Sequence, residues 1–351
     1  MDENGGVGAG GVVFVTGYPG FIGKRLVQQL VSRGRTVVCL IEERFRDAAT
    51  AHMAPLPAGS VRLVAGDITD SALGLDPKTR NSLRKSVTDV YHLAAIYNLS
   101  VPAEVGERIN VGGTAHVLDF CASLSKLHCL SYVSTCYVSG DRTGLVFEDE
   151  LDKGQGFKNH YEETKFRAEV LVRERLGEVP AVILRPAIVV GDSRTGETDK
   201  FDGPYVTFAA IRKGLMLLTP GSGEVPLNLV PVDFVIDCMV TIPEIEGTIG
   251  KTFQLADPDP LTVIEVVRLA CDRFGVRRPM ASYPLWMLEA ALSLRSVREL
   301  VGVPQQTVAY FNHAVVYDSK NTQDALRGTS IRCPLLKSYL NNILRFYLNL
   351  K

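Results

Sequence analysis

Residues 15–23 read VTGYPGFIG and follow directly on the apolar run GVVFVT at 11–16. Glycines fall at Gly17, Gly20 and Gly23. Downstream, Phe21, Ile22, Leu26, Val27, Leu30 and Val31 recur at the spacing of one helix face, which predicts a helix over 21–32 stopped by Gly34. The stretch therefore reads as a strand ending at Thr16, a glycine turn, and a helix starting near Gly20. Gly17 permits the tight turn, Gly20 lets a phosphate approach the backbone, and Gly23 lets helix and strand pack closely. The helix N-terminus adds free N–H groups and a positive dipole end. A nucleoside-triphosphate loop needs GxxxxGK[ST]. Here Gly17 to Gly23 is one residue too long, and Arg25 stands where Ser or Thr belongs. The alternatives left are a dinucleotide cradle and a merely tight turn.

The rest of the chain supports the cradle. Apolar strand patterns recur at 36–41, 61–65, 89–93, 129–134 and 179–185, with helix patterns at 102–126 and 160–177. Near-continuous apolar strands alternating with helices predict an α/β fold, a doubly wound parallel sheet covered on both faces. Beyond Pro186 the regularity fades, with a strand at 251–255, helices at 261–275 and 284–294, and helical spacing in LLKSYLNNILRFYLNL at 335–350. The expected organisation is a flexible lead-in over 1–10 and a Rossmann domain over 11–191, to which 225–256 returns. A smaller, mainly helical substrate-binding region takes 192–224 and 257–351.

Composition narrows the function. The 351 residues are 46% hydrophobic and 22% charged, with a formal net charge of -1. Nothing in that balance favours nucleic acid. The start, MDENGGVGAGG, lacks the basic and apolar regions of a signal peptide, and AVILRPAIVV at 181–190 is broken by Pro186. The terminal segment reads as a packed helix, with a membrane-surface helix as its rival. Seven cysteines show no CxxC pair and six histidines no HxxxH or HExxH spacing, so the expectation is reduced thiols, no metal, and a cytoplasmic protein.

The second strand pattern ends LIEER. A ribose-reading residue belongs there. Glu42 would accept from a free 2′-hydroxyl and repel a 2′-phosphate, and Arg44 would do the reverse. Both NAD(H) and NADP(H) stay open.

NHYEETKFRAE places Tyr161 and Lys165 at i, i+4 on one helix face. Upstream, YVSTCYVSG offers the Ser134 and Thr135 hydroxyls. An ammonium beside the phenol is expected to favour the phenolate and lower the tyrosine pKa. Such a tyrosine exchanges a proton at a carbonyl or alcohol oxygen while a neighbouring hydroxyl holds that oxygen.

With these motifs in order, the chain resembles the extended (atypical) short-chain dehydrogenase/reductases. TGYPGFIG matches that family's TGxxGFxG loop, which implies cofactor contacts from Gly17, Tyr18, Pro19, Gly20, Phe21, Ile22 and Gly23. GDITD (66–70) matches the adenine segment, with Asp67 and Ile68. HLAAIYN (92–98) matches the cofactor-lining stretch, with Leu93, Ala94 and Ala95. INVGGT (109–114) matches NVxGT, with Asn110 as a proton-relay asparagine. Tyr161 and Lys165 match the catalytic pair, which also binds cofactor, and Thr135 falls at the catalytic Ser/Thr position with Ser134 beside it. Pro186 and Ile188 would begin the loop over the nicotinamide. VSTCYVSG, NHYEETKFRAE and RPAIVVGDSRTG (185–196) resemble the fatty acyl reductase and thioester reductase branch in particular.

The resemblance implies an NAD(P)H-dependent reductase. It would act on the carbonyl of an acyl thioester, aldehyde or ketone in a lipid- or polyketide-like substrate, the thioester carried by CoA or a carrier protein. A homodimer is the default for the fold. Two alternatives remain: a redox-neutral nucleotide-sugar epimerase or dehydratase with retained NAD, and a non-catalytic sensor. The thioester branch usually has arginine at the place of Glu42, which weakens its NADPH preference here. Among other residues, His92 is expected to be structural, and Trp286 and Met287 to pack in the smaller region. Asp192, Ser193 and Arg194 either contact substrate or fix their loop.

Overall fold

The computed structural model describes residues 11–97, 102–294 and 305–349. The expected lead-in over 1–10 and the last residue of HLAAIYN lie outside them. Seven strands form the main sheet: β1 Val12–Thr16, β2 Thr36–Ile41, β3 Val61–Ala65, β4 Val87–His92, β5 Cys129–Val133, β6 Ala181–Pro186 and β7 Thr252–Leu255. Their order is β7-β6-β5-β4-β1-β2-β3, and every pair is parallel. Thr16, the last residue of β1, lies opposite Leu40 of β2 and His92 of β4. The chain direction switches sides there, so the glycine turn opens at the point where such sheets hold ligands.

The helices among the described residues are α1 Phe21–Ser32, α2 Arg46–Met53, α3 Pro77–Ser86, α4 Ala103–Gly106, α5 Gly113–Ala122, α6 His160–Glu174, α7 Pro204–Arg212, α8 Val232–Thr241, α9 Val263–Phe274, α10 Leu285–Ser293, α11 Lys320–Ala325 and α12 Leu336–Asn349. Alternation along β1 explains the two-sided core. Val13 and Val15 pack with Leu26 and Val27 of α1 and with α8, whereas Phe14 faces Phe120 of α5 and Val172 of α6.

The helix spans Phe21–Ser32, the range its apolar spacing predicts, and Gly34 ends it in the left-handed region at φ 76°. Several helices escaped the sequence pattern, among them α2, α3 and α8. α3 buries only Leu83, so it has almost no apolar stripe, and its signal is the cap: Asp76 accepts from the N–H groups of Lys78 and Thr79 ahead of Pro77. α2 buries only Ala49. α8 (VDFVIDCMVT) is apolar on most sides and shows no clear period.

In the smaller region α12 buries Leu336, Tyr339, Leu340, Ile343, Leu344 and Tyr347, which is the packed alternative for the terminal segment. Trp286 and Met287 do not pack as expected. They are 65% and 46% exposed. The inward side of α10 is Leu285, Leu288 and Leu292, which turns the next two residues after Leu285 outward.

Candidate active site

The glycine turn has the shape its sequence implied. Gly17 adopts φ 91°, and a Cβ there would meet the Ala94 nitrogen at 2.8 Å. A Cβ on Gly23 would stand 2.4 Å from the Gly17 carbonyl oxygen, so α1 packs against the turn only without a side chain. The Gly20 Cβ would meet only that same oxygen, at 2.9 Å, and otherwise faces the cleft. The Tyr18–Pro19 bond is cis. Tyr18 contributes backbone rather than ring, because its phenol is buried and donates to the Ala49 carbonyl at 3.1 Å. Thr16 orders the facing loop: its hydroxyl accepts from the Ala94 N–H at 3.2 Å and pairs with His92 Nδ1 at 2.8 Å. His92 is structural, as expected. Burial, aided by the Lys165 charge, lowers its pKa to about 3 and keeps the ring neutral.

A cleft of about 720 Å³ runs from Gly17, Tyr18, Pro19 and Gly20 past Glu42 and Arg44 to Asp67, Ile68, Ala94 and Ala95. Its neighbour of about 350 Å³ continues past Phe21, Ile22, Gly23 and Leu93 to Thr135, Tyr161, Lys165, Pro186 and Ile188. The cradle that a Cβ would fill, the free start of α1 and the acidic end of β2 fit a dinucleotide along these clefts. Glu42 and Arg44 turn out to be partners: the guanidinium is 2.8 Å from a Glu42 carboxylate oxygen, with both side chains at the surface. Asp67 accepts from the Thr69 N–H at 2.8 Å, which shapes the turn after β3.

Tyr161 is buried and shares the cleft with the Thr135 hydroxyl, which accepts from the Tyr137 N–H at 3.3 Å and donates to the Pro186 carbonyl at 3.5 Å. Lys165 does not hydrogen-bond Tyr161. Its ammonium donates to the Val133 carbonyl at 2.8 Å and to the Tyr132 phenol at 3.0 Å. The expected lowering of the Tyr161 pKa is therefore reversed. Burial pushes the phenol above its ordinary range, with Tyr97 adding to the rise. Burial also lowers Lys165 to about 8, against the pull of Glu169.

Ser134 and Asn110 are committed within the protein. The Ser134 hydroxyl donates to Glu169 Oε2 at 2.7 Å, so its proton faces away from the Tyr161–Thr135 pair. Asn110 lies in a six-residue π-helical segment, Glu107–Gly112, between α4 and α5. Such segments often mark functional sites. Its amide accepts from the Ile96 N–H at 2.9 Å and donates to the Thr164 hydroxyl at 3.0 Å. It ties the loop after β4 to α6. Asp192, Ser193 and Arg194 fix their loop: Asp192 accepts from the Arg194 and Thr195 N–H groups, and Ser193 bonds to Asp233.

Sequence reasoning missed the other wall of the site. A mainly apolar cavity of about 100 Å³ reaches Tyr161 from the smaller region, lined by Phe208, Ile211, Leu227, Val263, Val267 and Phe311 with Tyr97, Tyr137 and Tyr310. Tyr137 follows Thr135 by two residues and carried a local signal. Tyr310 had none. It arrives from far along the chain and donates to Glu162 at 2.7 Å.

The family profile described as "Male sterility protein", an NAD-binding family, matches residues 15–239. The chain belongs to that family. Its fold is of the extended short-chain dehydrogenase/reductase type, an oxidoreductase class. The chain is 27% identical over 304 residues to a nonribosomal peptide synthetase of Aspergillus flavus (asaC), covering 79% of this chain and 29% of that protein. It is 25% identical over 273 residues to a fatty acyl-CoA reductase of Drosophila melanogaster (wat), covering 65% of this chain and 53% of that protein. Thus the chain spans about half or less of these relatives. The terminal R domain of the myxalamid PKS-NRPS biosynthetic pathway superposes with a TM-score of 0.83 at 28% identity, covering 98% of this chain and 92% of that one. Among the described residues, no helix of this family member is long and apolar enough to cross a membrane.

Proposed function

We propose that the protein is an NAD(P)H-dependent reductase of a carbonyl on a lipid- or polyketide-like chain, an acyl thioester or an aldehyde. The observation that carries this is the meeting of two spaces at Tyr161: the dinucleotide cleft on one side and a mainly apolar cavity on the other. A nucleotide sugar would need many polar partners. This cavity offers it mostly aliphatic and aromatic carbon. The family relatives named as a fatty acyl-CoA reductase and a peptide-synthetase R domain point the same way. In this reading 11–191 with 225–256 holds the cofactor, and 192–224 with 257–351 holds the substrate.

The bound nicotinamide supplies a hydride for the carbonyl carbon. Gly17, Gly20, Gly23 and the start of α1 would hold its pyrophosphate, and Glu42 or Arg44 would read the ribose. Tyr161 gives the carbonyl oxygen its proton, and Thr135 holds that oxygen. An ammonium has three N–H donors. Two of those of Lys165 go to Val133 and Tyr132, and the third is left for the ribose of a bound dinucleotide. On a thioester the reduced carbon is a hemithioacetal. Its C–S bond then breaks to release the thiol and leave an aldehyde.

The test is cofactor oxidation by purified protein supplied with decanoyl-CoA, decanal or a UDP-hexose, with NADH and NADPH in turn. Turnover of a decyl substrate that Tyr161→Phe abolishes supports the reading. Conversion of the UDP-hexose with no net cofactor oxidation overturns it.

A further inference from the structure

Tyr161, Lys165 and Glu169 stand four residues apart on α6 and share one face. That face grips three consecutive residues at the end of β5. Thr135 lines the same cleft as Tyr161, Val133 accepts from Lys165 at 2.8 Å, and Ser134 donates to Glu169 at 2.7 Å. Glu169 is fully buried. Its Oε1 accepts from Arg185 Nη2 at 2.6 Å and from Arg173 Nε at 3.1 Å, and its Oε2 accepts from Arg185 Nε at 3.0 Å. Arg185, 1% exposed at the end of β6, also donates to the Glu150 carbonyl at 2.8 Å.

Buried ion pairs seldom add stability over apolar side chains of the same volume. This one does something apolar groups cannot. It sets an anion one turn below the lysine and occupies the proton of the hydroxyl next to Thr135.

We propose that Glu169, fixed by Arg185, is a positioning residue of this site: its carboxylate sets the buried negative charge one helical turn from the Lys165 ammonium and holds the Ser134 proton, which leaves Thr135 as the hydroxyl at the end of β5 that serves the cleft beside Tyr161. The proposal rests on the reading of Tyr161, Lys165 and Thr135 as the catalytic set. The other groups around Lys165 supply no negative charge. Tyr132 on β5 and Tyr161 on α6 are neutral phenols, His92 on β4 is neutral, and Arg185 on β6 and Arg173 on α6 are cations. Burial lowers Lys165 to about 8, and Glu169 is the charge that opposes it.

The experiment is a pH titration of the full-length protein labelled with ¹³Cε-lysine, the Lys165 resonance assigned by its loss in Lys165→Met. The double variant Glu169→Leu/Arg185→Leu removes both charges together and leaves neither orphaned. Its Lys165 midpoint is expected to fall by about one pH unit or more, a tenfold loss of proton affinity. Arg173→Leu, at the partly exposed end of the network, is expected to move the midpoint up, because Glu169 then keeps one cation fewer. This milder variant decides the matter if the double variant does not fold. An unchanged midpoint in a folded variant overturns the proposal. With decanal and NADPH, the alkaline limb of turnover should follow the midpoint. If Tyr161→Phe turns over normally, the catalytic reading itself fails. If Tyr161→Phe is inactive and the midpoint does not move, only the role of Glu169 fails.

Discussion

Tyr97 packs edge-on against Tyr161, with ring centroids 4.9 Å apart and planes at 83°. The Lys200 ammonium lies 3.4 Å from the centroid of the Tyr97 ring. Tyr97 thus stands where the dinucleotide cleft and the apolar cavity join.

An edge-on aromatic pair contributes about 0.5–1.5 kcal/mol beyond its area. Tyr97→Ala should therefore reduce kcat/KM for decanal by up to about tenfold, while Tyr97→Phe stays near wild type. Steady-state kinetics on both variants check this. Equal losses in the two would show that the hydroxyl, and not the ring, matters.

Tyr161→Phe removes the proton donor and leaves the ring packing in place. General acid catalysis contributes typically 10²–10⁴-fold, so kcat should drop by about that factor. Cofactor affinity, read by quenching of protein fluorescence, should stay nearly unchanged.

Lys165 is held at about 8 by burial. It is charged below that pH and neutral above it. Since the protonated form donates to Val133 and Tyr132 and keeps a third donor, turnover at saturating cofactor should decline as pH rises through about 8. A flat profile from neutral pH to well above 8 would contradict a role for the ammonium.

Gly23→Ala would place a Cβ 2.4 Å from the Gly17 oxygen, against backbone rather than the end of a flexible side chain, so the turn must shift. Overpacking of this kind costs roughly 1–3 kcal/mol. Denaturant melts should show that loss, and calorimetry should show weaker binding of both NADH and NADPH, because the whole turn shifts.

Glu42 and Arg44 form an exposed pair, and exposed pairs contribute only about 0–1 kcal/mol. The pair can open to meet the ribose. Glu42→Ala should free the guanidinium and tighten NADPH relative to NADH, and Arg44→Ala should do the opposite. Fluorescence titrations with both cofactors test the signs.

The parallel sheet was legible because its strands are buried on both faces, which writes them as runs such as TVVCLI. The glycine turn was legible because three close backbone approaches demand three glycines at set places. Tyr161 and Lys165 share a helix face by spacing alone. Periodicity could not see α3, with its single buried Leu83, or α8, apolar on most sides. It also misplaced Trp286 and Met287, since the inward face of a short apolar helix depends on what it packs against.

What the sequence by itself determined is local: where strands and helices lie, where the backbone must be bare, and which residues share a helix face. All of these follow from backbone geometry within a few residues. The electrostatics of the site belong to the tertiary structure. It sends Lys165 to Val133 and Tyr132, turns Ser134 onto Glu169, and brings Tyr310 and the apolar cavity to Tyr161. The cause is packing between segments far apart in the chain. Burial then strips water from these groups, which raises the phenol, lowers the lysine and leaves Glu169 as the buried anion below it.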